Sequence, residues 1–309
     1  MKNMLSTIAI SSVLAASACC HAASTPSALA KAVQSALDKG DFDAARQLAD
    51  IDDAPAELHF FFFDTVRECA SEATCTVTTA AADNALRQHW KEQAEQLHAQ
   101  MPAIEGLIKV AVKSRDGSGS GSMDMPYAKV GSDYKLTSIH FSDAGFGALR
   151  AKSDQSLVDE LFAQGIRDSK GETRTDWATA ATRLPADGGE PGKAFVAQTT
   201  AMSAAVDAKD PDAAMKSGGQ MSTLIFRDKD FKGKPIPLID RQRKLHVQSL
   251  RMLRDVKVKG GFQLGDDAVL TVEARNGIGW IVRGPIVLSK DGTDWDRAGD
   301  HTVSYRAAK

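Results

Sequence analysis

The side chains best suited to chemistry gather in the segment LIDRQRKLHVQSLRMLR at 238–254, where Asp240 and His246 share one predicted helix. A carboxylate and an imidazole serve acid–base catalysis only when they come within hydrogen-bond reach of one another or of a substrate. Asp240 also reads as a helix cap and His246 as a surface or interface residue. The first reading is therefore that no residue is catalytic, and Asp240 with His246 is the alternative. On the same helix Arg241, Lys244, Gln248 and Arg251 recur at intervals of three, four and three residues and make one polar stripe. Such a stripe is either a solvated face or a docking surface for an acidic protein or an anionic envelope component.

Other candidates fail on spacing. Glu95 and His98 have the Glu-x-x-His step of di-iron helices, but such a centre needs a second copy and further carboxylates. His59, His140, His246 and His301 show no ligand spacing, so neither a metal nor a cofactor is expected. DGGEPGKA at 187–194 has Asp187 and Ala194 where a nucleotide loop needs glycine and a hydroxyl. In GSGSGS at 117–122 a glycine stands where a hydrolase elbow has serine.

The chain that must position these residues has 309 residues, which suits two domains. Met1 to Ala22 reads as a bacterial export signal, with a basic start at Lys2, an apolar run and small residues at its end. Cleavage after Ala22 gives a soluble protein. Cleavage before Cys19 would leave a lipid there, although Ala16 occupies the usual leucine position of a lipobox. No later segment offers the ~18 apolar residues of a spanning helix. The expectation is a periplasmic protein, either soluble or anchored through Cys19.

Cys69 and Cys75 are then the cysteines left for the fold, and an oxidising compartment makes them a disulfide. Six residues of helix would hold them ~9 Å apart, beyond the ~7 Å that a bridge spans between Cα atoms. The helix carrying Cys69 must therefore end soon after it. A net charge of −2 gives no global signature of nucleic-acid binding, and 43% hydrophobic residues suffice for real cores.

Several motifs occur twice. VKSRDGSG at 112–119 returns as VEARNGIG at 272–279, ALDKGDFDAA at 36–45 as AVDAKDPDAA at 205–214, and GSDY at 131–134 as GTDW at 292–295. Three motifs in one order argue for two copies of a module. Ile108, Val110 and Val112 alternate as in a half-buried strand, as do Ala268, Leu270 and Val272. The following Asp116-Gly117 and Asn276-Gly277 are hairpin signals, so the Gly-Ser run is an extended hairpin tip.

Helices precede the strands in each copy. Residues 24–50 read as a helical pair broken near Gly40 with Asp41 as cap, 55–69 as a helix, and 81–101 as another. Phe60, Phe61, Phe62 and Phe63 step around the second of these and demand cover on several sides. Further helices are expected over 194–216 and 240–254, with one more at 153–168, and LPADGGEPG at 184–192 is the clearest linker. The fold class is α+β: a first module at 23–150, a connection at 151–192 and a second module at 193–309.

A helical front followed by DDAVLTVEARNGIGWIVRGPIVLSKDGTDWDRAG at 266–299 resembles the nuclear-transport-factor-2-like superfamily of cone-shaped domains. That resemblance implies tandem cones, each with helices closing on a bent antiparallel sheet. In the second it implies a pocket to which Asp240, His246, Trp280 and Tyr305 contribute. Members include isomerases, dehydratases, ligand binders and protein-binding modules, so the fold selects no activity. The leading expectation is an exported, non-catalytic protein acting through protein contacts, such as a toxin-neutralising immunity protein or an envelope accessory protein. The alternatives are a binder of a small apolar ligand and an isomerase-like or dehydratase-like enzyme.

Overall fold

The computed structural model describes residues 23–167 and 171–307, with only the backbone of Gln220 and Met221. The export signal and Cys19 lie outside the described residues. The chain opens with α1 (Pro26–Lys39), α2 (Phe42–Gln47), β1 (Ala49–Asp50) and α3 (Ala56–Ser71). Then come β2 (Ala73–Ala80), α4 (Asn84–Gln96), β3 (Ala99–Gln100), β4 (Gly106–Ser114), β5 (Ser120–Val130), β6 (Asp133–Thr137) and β7 (His140–Phe141). A middle stretch holds α5 (Asp143–Ala151), α6 (Asp154–Gln164), β8 (Ile166–Arg167), β9 (Thr173–Arg174), α7 (Trp177–Ala180) and β10 (Thr182–Leu184). The remainder is α8 (Gly189–Asp207), α9 (Pro211–Lys216), α10 (Gln220–Ile225), α11 (Leu238–Ser249), β11 (Arg254–Leu264), β12 (Asp267–Arg275), β13 (Ile281–Asp291), β14 (Asp294–Asp300) and β15 (Val303–Tyr305).

The fold is α+β, with two large open, bent sheets and two two-stranded ones, β3-β7 and β8-β9. The first has the order β1-β6-β5-β4-β2, and the second runs β10-β11-β12-β13-β14 with β15 on β13. Within each sheet β2-β4-β5-β6 and β11-β12-β13-β14 follow one another as antiparallel neighbours. The repeated motifs also take matching local forms. α1 ends on Gly40 at φ 63° and Asp41 caps α2 by accepting from the Ala44 amide. α8 ends before Lys209 at φ 53°, and Asp210 caps α9 by accepting from the Ala213 amide. The run expected as one helix over 194–216 therefore divides here, because a capping carboxylate competes for the backbone donors that would continue the helix.

Both hairpins form where Asp-Gly and Asn-Gly stand. Half of the Gly-Ser run belongs to the ladder: Ser120 pairs with Lys113, Gly121 with Val112 and Ser122 with Ala111. Each turn touches the end of a helix. The Arg115 amide donates to Glu72 O just past α3, and the Gly277 amide donates to Leu250 O just past α11. The Arg115 guanidinium also donates to the carbonyls of Cys69, Ala70, Ser71 and Ala73, satisfying acceptors that a helix end leaves free.

Cys69 near the end of α3 and Cys75 in β2 form a disulfide, with their Cα atoms 5.4 Å apart. α3 stops at Ser71, as the spacing of the two cysteines requires. α4 stops at Gln96, short of the expected 101, and α11 stops at Ser249, where Arg254 already begins β11.

The first core lies between one sheet face and α1 to α3, around Leu29, Val33, Leu37, Val66, Ile108 and Leu136. The second sheet is covered on both faces. Leu270, Ile286, Leu288 and Trp295 meet Phe195 of α8, while Val269 and Val287 on the reverse meet Val158, Leu161 and Phe162 of α6 and Trp177 of α7. The stretch 184–192 is β10, a turn at Gly188 and the first residues of α8, with Pro191 and Gly192 buried.

Candidate functional site

Among the clefts of the described residues, one of about 480 Å³ lies under the helices that cover the second sheet. Its size falls in the range of small-molecule sites. α8 supplies Phe195, Gln198, Thr199 and Met202, which share a face because they recur at three and four residues. α10 adds Ile225, the chain just beyond α11 adds Leu250, Arg251 and Met252, and the sheet adds Val282 and Asp296. Inside the first core the gap between α1, Phe62 and Leu136 amounts to about 10 Å³, while an open cleft of about 510 Å³ lies between α1 and β2. A shallower depression shares Gln198, Gly218 and Gly219 with the cavity and opens to solvent.

Most polar groups in the walls already have partners. Gln198 Nε2 donates to Trp295 O at 2.8 Å, Thr199 Oγ1 donates to Phe195 O at 2.9 Å, and Asn276 Oδ1 accepts from the Trp280 amide at 2.9 Å. Arg297 and Asp300 pair with one another. Asp296 lies so close to Gly219 that a β-carbon there would collide with its carboxylate. The Gly218-Gly219 pair thus lets α10 approach β14. The cleft is partly open, and its mainly apolar wall also carries the carboxylates of Glu57, Asp296 and Asp300.

The residues singled out on α11 mostly face elsewhere. Asp240 Oδ1 accepts from Ser71 Oγ at 2.7 Å and pairs with Arg243 at 3.1 Å. The His246 ring stacks on Phe42 at 4.5 Å between centroids, and burial of that face, with Lys209 as a further cause, lowers its pKa although its edge stays exposed. Neither residue lines the cavity. Trp280 and Tyr305 do not line it either; they pack with Phe146 in a separate cluster.

Nor does the polar stripe form one exposed surface. Arg241 is only 7% exposed, paired with Asp212 at 2.7 Å and donating to Phe226 O. Lys244 stands 3.8 Å from Glu72, which also pairs with Arg67. Burial lowers the pKa of Lys244, and the charge of Arg67 adds to this. Gln248 and Arg251 remain at the cavity.

α11 is instead the joint between the two halves of the chain. Its Val247 is fully buried among Ile51, Ala54, Phe60 and Phe63, and Arg243 donates to Lys39 O at 3.0 Å. This explains much of the phenylalanine run: Phe60 and Phe63 are buried, Phe62 is half-buried, and Phe61 is 54% exposed.

Among the described residues, no group of three His, Cys, Asp or Glu side chains could hold a metal, and no helix is long and apolar enough to cross a membrane. Glu95 lies 4.0 Å from Lys91. Sequence reasoning missed Phe195, Thr199, Met202 and Asp296 as cavity walls. The available signal was the shared face of the first three on α8, which a buried core helix shows equally well.

No protein-family model, curated protein or solved structure matches the chain.

Proposed function

We propose that the protein is a non-catalytic binder that holds a small, largely apolar molecule in the cavity under α8, α10 and the end of α11. The observation that carries this reading is the space of about 480 Å³ between α8 and the second sheet, against a gap of about 10 Å³ inside the first core; the cleft of about 510 Å³ between α1 and β2 is shallow and lined by Lys31, Gln34, Thr78 and Thr79. Interior packing is ordinarily close, so space of the first size invites an occupant. In this reading the chain is a tandem of cone-like modules. The first is filled and braces the second through α3 and α11, and the second keeps its pocket. On α11 the charged groups Arg241, Arg243 and Lys244 are paired within the chain, while Leu238 and Ile239 are exposed and leave room for the protein-contact reading. Export to an oxidising compartment fits the Cys69–Cys75 disulfide.

The test is titration of the full chain with the neutral probe N-phenyl-1-naphthylamine, followed by its fluorescence. Saturable binding with a blue-shifted emission is expected, and Thr199→Trp should abolish it while leaving the circular dichroism unchanged. Failure of the folded wild type to bind, or binding untouched by Thr199→Trp, would remove the cavity from the account.

A further inference from the structure

The cavity has a wall that the second half does not build. Ala56 and Glu57, from the first turn of α3, line it together with Arg251. Arg251 is exposed, and its guanidinium carbon stands 4.4 Å from the centroid of the Phe60 ring. The cations of α11 itself are spent in ion pairs, Arg241 on Asp212, Arg243 on Asp240 and Lys244 on Glu72. Among the described residues, Arg251 makes no such pair.

The phenylalanine ring lies against the guanidinium, whose N–H groups have no ion-pair partner among the described residues. A guanidinium so held suits a planar or tetrahedral anion better than an ammonium would, because its N–H groups form a fork. The lining also carries Arg297 and the carboxylates of Glu57, Asp296 and Asp300. Arg297 is taken by Asp300, Asp296 stands on a different wall beside Gly219, and Glu57 sits in the first turn of α3, where the helix dipole offsets its charge. The apolar part of the lining includes Met252, Leu250, Phe226, Ile225 and Met202.

We propose that the ligand is a single-chain amphiphile with an anionic head, the head on Arg251 and the chain along the apolar wall. This rests on the cavity reading and adds the sign of the head and the residue that takes it. It also gives the joint between the halves a role, since α3 supplies the ring that orients the guanidinium.

The experiment is displacement of N-phenyl-1-naphthylamine from the full chain by decanoate, decanol and decyltrimethylammonium. Decanoate should displace the probe at about a tenfold lower concentration than decanol, in keeping with the strength of a charge-assisted hydrogen-bonded pair. Arg251→Gln, which keeps the stem over Phe60, should abolish the difference between decanoate and decanol. In the wild type, salt at 1 M should weaken decanoate and spare decanol, a reading that holds even if the variant proves less stable. Equal displacement by decanoate and decanol, a preference that survives Arg251→Gln, or a preference for the cationic chain would overturn the proposal while leaving the cavity reading intact. Failure of the probe itself to bind would sink both.

Discussion

The Asp240 carboxylate accepts a hydrogen bond from the Ser71 hydroxyl at 2.7 Å, joining residues 169 positions apart. Ser71 ends α3 and Asp240 lies in the first turn of α11, so the bond pins one end of the joint. At the other end Arg251 covers Phe60. A carboxylate held by Ser71 and Arg243 acts as a structural clasp. A double-mutant cycle with Asp240→Ala and Ser71→Ala, read by denaturant unfolding, should give a coupling of about 1 kcal/mol. Additive effects would show that the contact contributes nothing to the joint.

His59 is 2% exposed, its ring 6.3 Å from Trp280, and neither ring nitrogen has a hydrogen-bond partner of good geometry. Burial lowers its pKa, and the charge of Arg46 adds to this. The folded value lies below the unfolded one, so stability is fullest above the ordinary histidine range near 6.5. It declines as pH falls through that range, because the unfolded chain takes up a proton that the folded chain resists. Replacement by phenylalanine removes two buried nitrogens that have only marginal backbone contacts, to Ile51 and Ala54. His59→Phe should be at least as stable as the wild type at pH 7.5 and lose less on acidification to pH 5.5, as thermal melts would show. An unchanged pH dependence would mean that His59 is not the group responsible.

The disulfide closes a short loop, for which chain entropy gives about 2 kcal/mol. Cys69→Ser with Cys75→Ser should therefore lower stability by roughly that amount without unfolding the protein. Arg115, which donates to four carbonyls around the same corner, helps to hold it without the bridge. Adding Arg115→Ala to the double serine variant should destabilise by more than the two changes made separately. Simple additivity in urea unfolding would show that bridge and guanidinium act independently.

What could be read in the sequence was local. Asp41, Gly40 and the Asp-Gly and Asn-Gly hairpins act over a few residues, and the period-two runs at 108–112 and 268–272 report burial on one face directly. The limit on helix length set by Cys69 and Cys75 is local too. The destination of α11 was not legible, because a stripe of Arg241, Lys244 and Gln248 looks the same whether it faces water, another protein or its own chain. Here Asp212, Glu72, Ser71 and Lys39 O met the polar groups of that helix, and only the distant contacts decide this. The cavity was less legible still. It is space that α8, α10 and β14 leave between them, and Phe195 and Met202 have the same pattern whether that space is filled or empty.

The most direct test of a binding cavity is the mass of the protein purified gently from its source, measured under native and then denaturing conditions. The account predicts an added mass of a few hundred daltons, in keeping with a drug-sized pocket, that disappears on denaturation and is missing from Thr199→Trp. A bare native mass that decanoate does not increase, or an added mass that Thr199→Trp retains, would contradict it.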